Sequence, residues 1–102
     1  MICVSIVNHN HDKQVINLLK KISSFPQVKK IILTNNLKNK EFKKFKSKKI
    51  YYLNNQKIQG FGVNHNKAFS KCNNTYFCVL NPDVKIIKNP FGILINEIKT
   101  NK

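Results

Sequence analysis

The spacing of apolar residues predicts a three-layer α/β/α fold built on a mainly parallel sheet with strand order 3-2-1-4. Three observations carry this. Short, β-branched apolar runs alternate with helix-period stretches in the order β-α-β-α-β-α-β-α. The strand runs are apolar at successive positions, as in strands covered on both faces. Right-handed crossovers then leave few arrangements, and half of a doubly wound sheet is the simplest. The 102 residues supply one core, so residues 1–102 are read as a single domain.

Cys3 to Asn8 is the first buried strand. Asp12 can cap the next helix, where Val15, Leu18, Leu19 and Ile22 fall at i, i+3, i+4 and i+7 on one face. Phe25-Pro26 ends it, because the residue before proline is pushed out of the helical region. Ile31-Ile32-Leu33 is the second strand, stopped by Asn35-Asn36. Lys38 to Lys49 reads as a short exposed helix, with Phe42 and Phe45 three apart. Ile50 to Leu53 is the third strand, followed by a polar loop to Gln59. Gly60-Phe61-Gly62 opens a helix with Phe61, Ala68, Phe69 and Cys72 along one side, and Asn73-Asn74 breaks it. Tyr76 to Leu80 is the fourth strand, ended by Asn81-Pro82-Asp83. Asn89-Pro90 pairs an N-cap with proline at the first helical position, and Phe91, Leu94, Ile95 and Ile98 repeat a helical face.

Net charge is +15, and all nineteen basic residues are Lys. Arg reads phosphates and bases through a planar fork that Lys lacks, so a dedicated nucleic-acid binder is disfavoured. Lys and Asn on solvated faces, filled by an AT-rich coding bias, explain the charge more simply. Phe42, Phe45, Tyr51 and Tyr52 interleave with lysines, but their spacing suits core packing better than base stacking. No apolar run reaches the roughly 18 residues of a membrane span, and the N-terminus has no basic region of a signal peptide. Cys3, Cys72 and Cys78 follow no metal spacing and read as small buried hydrophobes in a reducing cytoplasm. His9, His11 and His65 lack a third ligand at a known spacing. Gly60-x-Gly62 has His65 where a dinucleotide fingerprint wants a third glycine.

In a doubly wound sheet, ligands bind beyond the carboxyl ends of the strands where the order reverses, here between strands one and four. Three polar clusters lie at strand ends: Asn8-His9-Asn10-His11, Thr34-Asn35-Asn36 and Asn81-Pro82-Asp83. Each alone is ordinary turn chemistry. Together they mark a candidate site.

These residues carry a resemblance. Val4 to Asn10 is similar to the first strand and terminal Asn of family-2 glycosyltransferases, and Ile31 to Asn35 to their second strand. Gly60-Phe61-Gly62, with Asn66 and Ala68, resembles the family's GFG-x-x-x-N-x-(G/A) helix start. Leu80-Asn81-Pro82-Asp83-Val84 resembles the N-P-D form of its D-x-D motif. The chain thus looks like the N-terminal, nucleotide-sugar-binding half of a GT-A-type (Rossmann-like) fold. It is similar to bacterial rhamnosyltransferase-like enzymes that build surface polysaccharide. The resemblance implies a glycosyltransferase with a nucleotide-diphosphate sugar as donor and Mg²⁺ or Mn²⁺ as cofactor. Asp83 would bind the metal, a hard oxygen ligand for a cation bridging two phosphates. Asn81 would meet the ribose or a metal-bound water. Asn8, Asn10 and Asn35 would read the base, Thr34 stands beside them, and His9 would line the pocket. Gly60, Phe61 and Gly62, with Asn66 behind them, would let the backbone approach the nucleotide.

The pattern departs from the family at Thr34 (usually Asp), Ile58 (often Asn) and Asn81 (usually Asp). The acceptor-binding half and its general base are not expected within these residues, since Glu41 and Glu97 read as surface charge. The expectation is donor binding without unaided turnover. A second copy or another protein would supply the acceptor half. The location would be cytoplasmic, with a peripheral contact to an anionic inner-membrane face. The alternatives are a Lys-rich nucleic-acid-binding module and a non-catalytic remnant of the fold.

Overall fold

A computed structural model describes residues 1–36, 45–73 and 76–100. The order is β1 (Ile2–Asn8), α1 (Asp12–Ile22), β2 (Val28–Asn35), β3 (Ile50–Asn54), α2 (Phe61–Ser70), β4 (Tyr76–Leu80) and α3 (Phe91–Thr100). The four strands form one parallel sheet in the order β3-β2-β1-β4. The expected strand order and layering are those of the molecule.

Alternation along β1 sorts its side chains between the two faces. Val4 and Ile6 point to the α1 side, where they meet Ile31 and Leu33 of β2, the buried stripe of α1 and Phe91 of α3. Phe25 meets the Phe91 ring edge-on at 5.9 Å between centroids. On the other face Cys3 and Ile32 pack against Ala68 of α2, with Leu53 and Phe77 partly buried beside them. Ser5 of this face is also fully buried.

Both ladders continue past the strand ends. Asn36 N–H donates to the Asn8 carbonyl (2.9 Å) and Asn55 N–H to the Asn35 carbonyl (3.0 Å), which carries Asn36 and Asn55 to the carboxyl rim of the sheet. Asn89 caps α3 as expected: its Oδ1 accepts the Phe91 N–H at 2.9 Å.

Four expectations are corrected. Of the helix expected over Lys38–Lys49, residues 37–44 lie outside the described residues, and residues 45–49 are not helical. Phe45 instead packs on the α1-side core and its carbonyl accepts the Tyr52 hydroxyl at 2.5 Å. Asp12 does not cap α1 but is its first helical residue, with Oδ1 taken by Asn8 Nδ2 at 2.8 Å. Phe61 and Phe69 are not buried against the sheet; they are 64% and 60% exposed, and Phe69 reaches it only edge-on at Phe77 of β4 (5.1 Å between centroids), while α2 buries Asn64, His65 and Ala68. Ser5 selects that face, because a hydroxyl sealed under α2 needs a partner and His65 is the residue that supplies it.

The fourth concerns the cysteines. Cys3 and Cys72 form a disulfide across a sequence separation of 69 residues. The crossover returns the end of α2 to the amino end of β1, where their Cα atoms are 6.1 Å apart. Cys78 remains free, and burial pushes its thiol up, which keeps it protonated and unreactive.

Candidate functional site

At the carboxyl rim, α1 leaves β1 on one side of the sheet while α2 enters β4 from the other. The loops part, and a cavity of about 290 Å³ opens between them. Val7 and Leu80 form its apolar part. His9 and His11 come from the β1–α1 loop, Asn81 and Pro82 from the end of β4. Asn36, Gln59, Phe61, Asn64 and His65 complete the lining from the α2 side.

The polar wall is built from amides. Asn36 Oδ1 accepts the Gln59 N–H (2.9 Å) and Asn55 Nδ2 (2.7 Å), while Asn36 Nδ2 donates to the Gln59 carbonyl at 2.9 Å. Asn36 Nδ2 also lies 3.3 Å from His9 Nδ1. Asn55 Nδ2 donates again to Asn64 Oδ1 at 2.6 Å, and Asn64 Nδ2 returns to the Gln59 carbonyl at 3.3 Å. Asn36, Asn55 and Asn64 are all buried. They pin the 55–60 loop to the rim and fix where α2 begins.

His65 sits beneath this wall. Its Nδ1 shares a 2.7 Å hydrogen bond with Ser5 Oγ, and its ring meets the edge of Phe61 at 4.4 Å between centroids. Burial pushes its pKa down, so the ring is neutral near pH 7. Phe61 stands over it, largely exposed at the cavity mouth. A Cβ added at Gly60 or Gly62 would meet nothing within 4 Å, so the first turn of α2 faces open space. Gly60 has φ −77°, a backbone that any residue adopts, so its conformation alone does not require glycine.

Of the residues singled out from sequence, His9, Phe61 and Asn81 border the cavity. Gly60 and Gly62 flank it at the start of α2. Asn8 does not reach it: it is buried, donating to Asp12 and accepting the His11 N–H at 3.0 Å, and so shapes the β1–α1 loop. Asn10 is exposed in that loop with φ 65°, a left-handed conformation asparagine tolerates. Thr34 and Asn35 are buried within β2, and Asn66 is exposed on α2.

Asp83 is exposed and lines a different space, a groove of about 710 Å³ between α1 and the 82–87 segment, with Gln14, Asn17 and Lys21. Pro82 borders both spaces. Among the described residues no three His, Cys, Asp or Glu side chains converge to hold a metal ion. One carboxylate fits only a cation that arrives already bound by phosphate oxygens.

His11 and Asn36 belong to the polar clusters that mark the strand ends but have no individual role there, His65 is weighed only as a metal ligand, and Gln59 and Asn64 are the lining residues that sequence reasoning missed. One signal was available: Asn64, His65, Ala68 and Cys72 form a stripe at helical spacing that is polar at the end nearest the rim. No protein-family model, no curated protein and no solved structure matches this chain.

Proposed function

We propose that this chain is a nucleotide-sugar-binding module of the family-2 glycosyltransferase kind, the donor half of a transferase for bacterial surface polysaccharide. The observation that carries the reading is that His9, Phe61 and Asn81, taken from three separate motifs, border one cavity at the switch point of the sheet. The base would stack on the exposed ring of Phe61, a contact worth about 1–3 kcal/mol in other single-base sites. His9 and Asn81 would offer polar edges to base and ribose. The amides of Asn36, Asn55 and Asn64 already satisfy one another, so their role is to hold the wall in place. The open first turn of α2 would take the diphosphate on its backbone N–H groups. Mg²⁺ or Mn²⁺ would come with the diphosphate and touch the protein at Asp83, beyond Pro82.

Among the described residues no carboxylate lines the cavity, and in this reading a general base and an acceptor site would come from outside them, a second copy or another protein being the partners it calls for. The chain alone would bind donor without transferring sugar. A cytoplasmic location belongs to this reading, and there the Cys3–Cys72 pair would be held as thiols. Among the described residues no helix is long and apolar enough to cross a membrane.

Calorimetry on the 102-residue chain with UDP, GDP and dTDP sugars, with and without Mn²⁺, tests the proposal. Binding of one donor is expected. Phe61→Ala should weaken it roughly 5- to 150-fold, the range of a lost base stack. Asn36→Ala should weaken it by loosening the wall, and Asp83→Ala should matter only when Mn²⁺ is present. No binding by any donor, or affinity unmoved by Phe61→Ala, overturns the reading.

A further inference from the structure

After β4 the chain crosses residues 81–90 as an irregular segment before α3 begins. Ile87 stands out from this segment at 87% exposure, the highest of any large apolar side chain among the described residues. Val84 and Leu94 are exposed with it, and all three border an open groove of about 400 Å³ floored by Cys78 and Leu80. Ile98, also exposed, lies one helical turn beyond Leu94 and extends the apolar strip along α3. Water contact over this much contiguous aliphatic surface is unfavourable, and such patches mark interaction sites.

The charges around the strip specify the partner. Lys85 and Lys88 line the same groove, and Lys21 joins Lys85 across the segment in the wider groove beside it. Asp83 in that wider groove and Glu97 on α3 are the nearby acidic groups. Three ammonium groups outnumber them on a chain of net charge +15. The partner must therefore be both apolar and anionic. A second copy would set these lysines against their own kind. A polynucleotide would gain nothing from a protruding isoleucine, and this strip presents no aromatic ring for a base.

We infer that the strip of Val84, Ile87, Leu94 and Ile98 docks on an anionic lipid bilayer. Ile87 enters the boundary between headgroups and acyl chains, and Lys21, Lys85 and Lys88 lie along the headgroups with their stems on the apolar surface. One inserted side chain with a few lysines gives reversible attachment, which strengthens with the anionic lipid content and weakens with salt. None of these side chains is used for nucleotide recognition above, so the two proposals fail separately.

The test is co-sedimentation of the full chain with phosphatidylcholine vesicles, with and without phosphatidylglycerol. Binding is expected only when phosphatidylglycerol is present. Removing two charges in Lys85→Gln/Lys88→Gln should lower it by roughly 25-fold, at about fivefold per lysine. Ile87→Asn should lower it severalfold with no change in melting temperature, because the side chain is exposed. Val63→Asn, an exposed apolar position on α2 across the sheet, is the control that should bind like the parent. No capture by anionic vesicles, or equal binding by the Ile87 and Val63 variants and the parent, overturns the inference. So does an Ile87-dependent dimer, or Ile87-dependent capture by single-stranded DNA that exceeds capture by vesicles.

Discussion

On the α1 side of the sheet, Val15, Leu18, Leu19 and Ile22 are all buried, and they rest on the aliphatic side chains of β1 and β2. On the α2 side, the helix buries two polar residues, Asn64 and His65, and one alanine. The first face is closed by apolar area. The second is closed by hydrogen bonds and a covalent bond: Ser5 to His65 midway along α2, Cys3 to Cys72 just past its carboxyl end. Burial of aliphatic side chains is non-directional and leaves no chemistry behind. A helix held by amides, an imidazole and a disulfide needs little aliphatic area, and its rim end is polar where the cavity lies. The contrast separates the part of the molecule that stores stability from the part that can bind a polar ligand.

The sharpest break of this contrast is truncation. Leu19→Ala on the α1 face should cost about 3–5 kcal/mol, the loss of a fully buried leucine and the cavity it leaves. The corresponding cut on α2, Ala68→Gly, should cost about 1 kcal/mol, mostly backbone entropy. Urea unfolding of the two variants measures both, and equal costs would erase the distinction. Next in size is the disulfide. Reduction, or Cys3→Ala/Cys72→Ala, should lower stability by about 2–4 kcal/mol, because the unfolded chain regains the freedom of a long loop. Paired urea curves with and without dithiothreitol give the value; a shift far below this range would mean that the apolar contacts of Ile32, Leu53 and Phe77 hold α2 unaided.

The smallest effect is a pH dependence. Burial holds the His65 pKa below its ordinary value of 6.5, so the folded protein takes up that proton at a lower pH than the unfolded chain. The contribution from the neutral ring is therefore complete above about pH 6.5 and is lost as the pH falls from there through the folded value. Melting temperature should fall as the pH drops below about 6.5, and His65→Gln should flatten that fall. An unchanged slope in the variant would place the titration elsewhere.

The strand and helix order was legible because each aliphatic position that fixes it is buried by ordinary packing, as at Val4, Ile6, Ile31 and Leu33. The inward face of α2 was not. Hydrophobicity alone sends Phe61 and Phe69 inward, and the choice was made by Ser5, a hydroxyl from the neighbouring strand that only tertiary structure brings near. The disulfide was hidden for the same reason, since three cysteines without a spacing rule say nothing of which two a crossover will align. At the rim the uncertainty was one residue wide. Asn8, Asn35 and Asn54 are register partners and share one face, whereas Asn36 lies one step on and reaches the cavity. In a strand a single step reverses the side, and the sequence Thr34-Asn35-Asn36 does not mark where the last pair of the ladder falls.

The bond between Cys3 and Cys72 divides the chain into a covalent ring and a tail. Inside the ring lie most of β1, then α1, β2, β3 and α2; β4 and α3 hang outside it. The cavity straddles that division, with Asn36, Phe61 and His65 on the ring and Leu80, Asn81 and Pro82 on the tail. Fraying from the carboxyl end would therefore strip away one wall of the crevice while the ring stays tied.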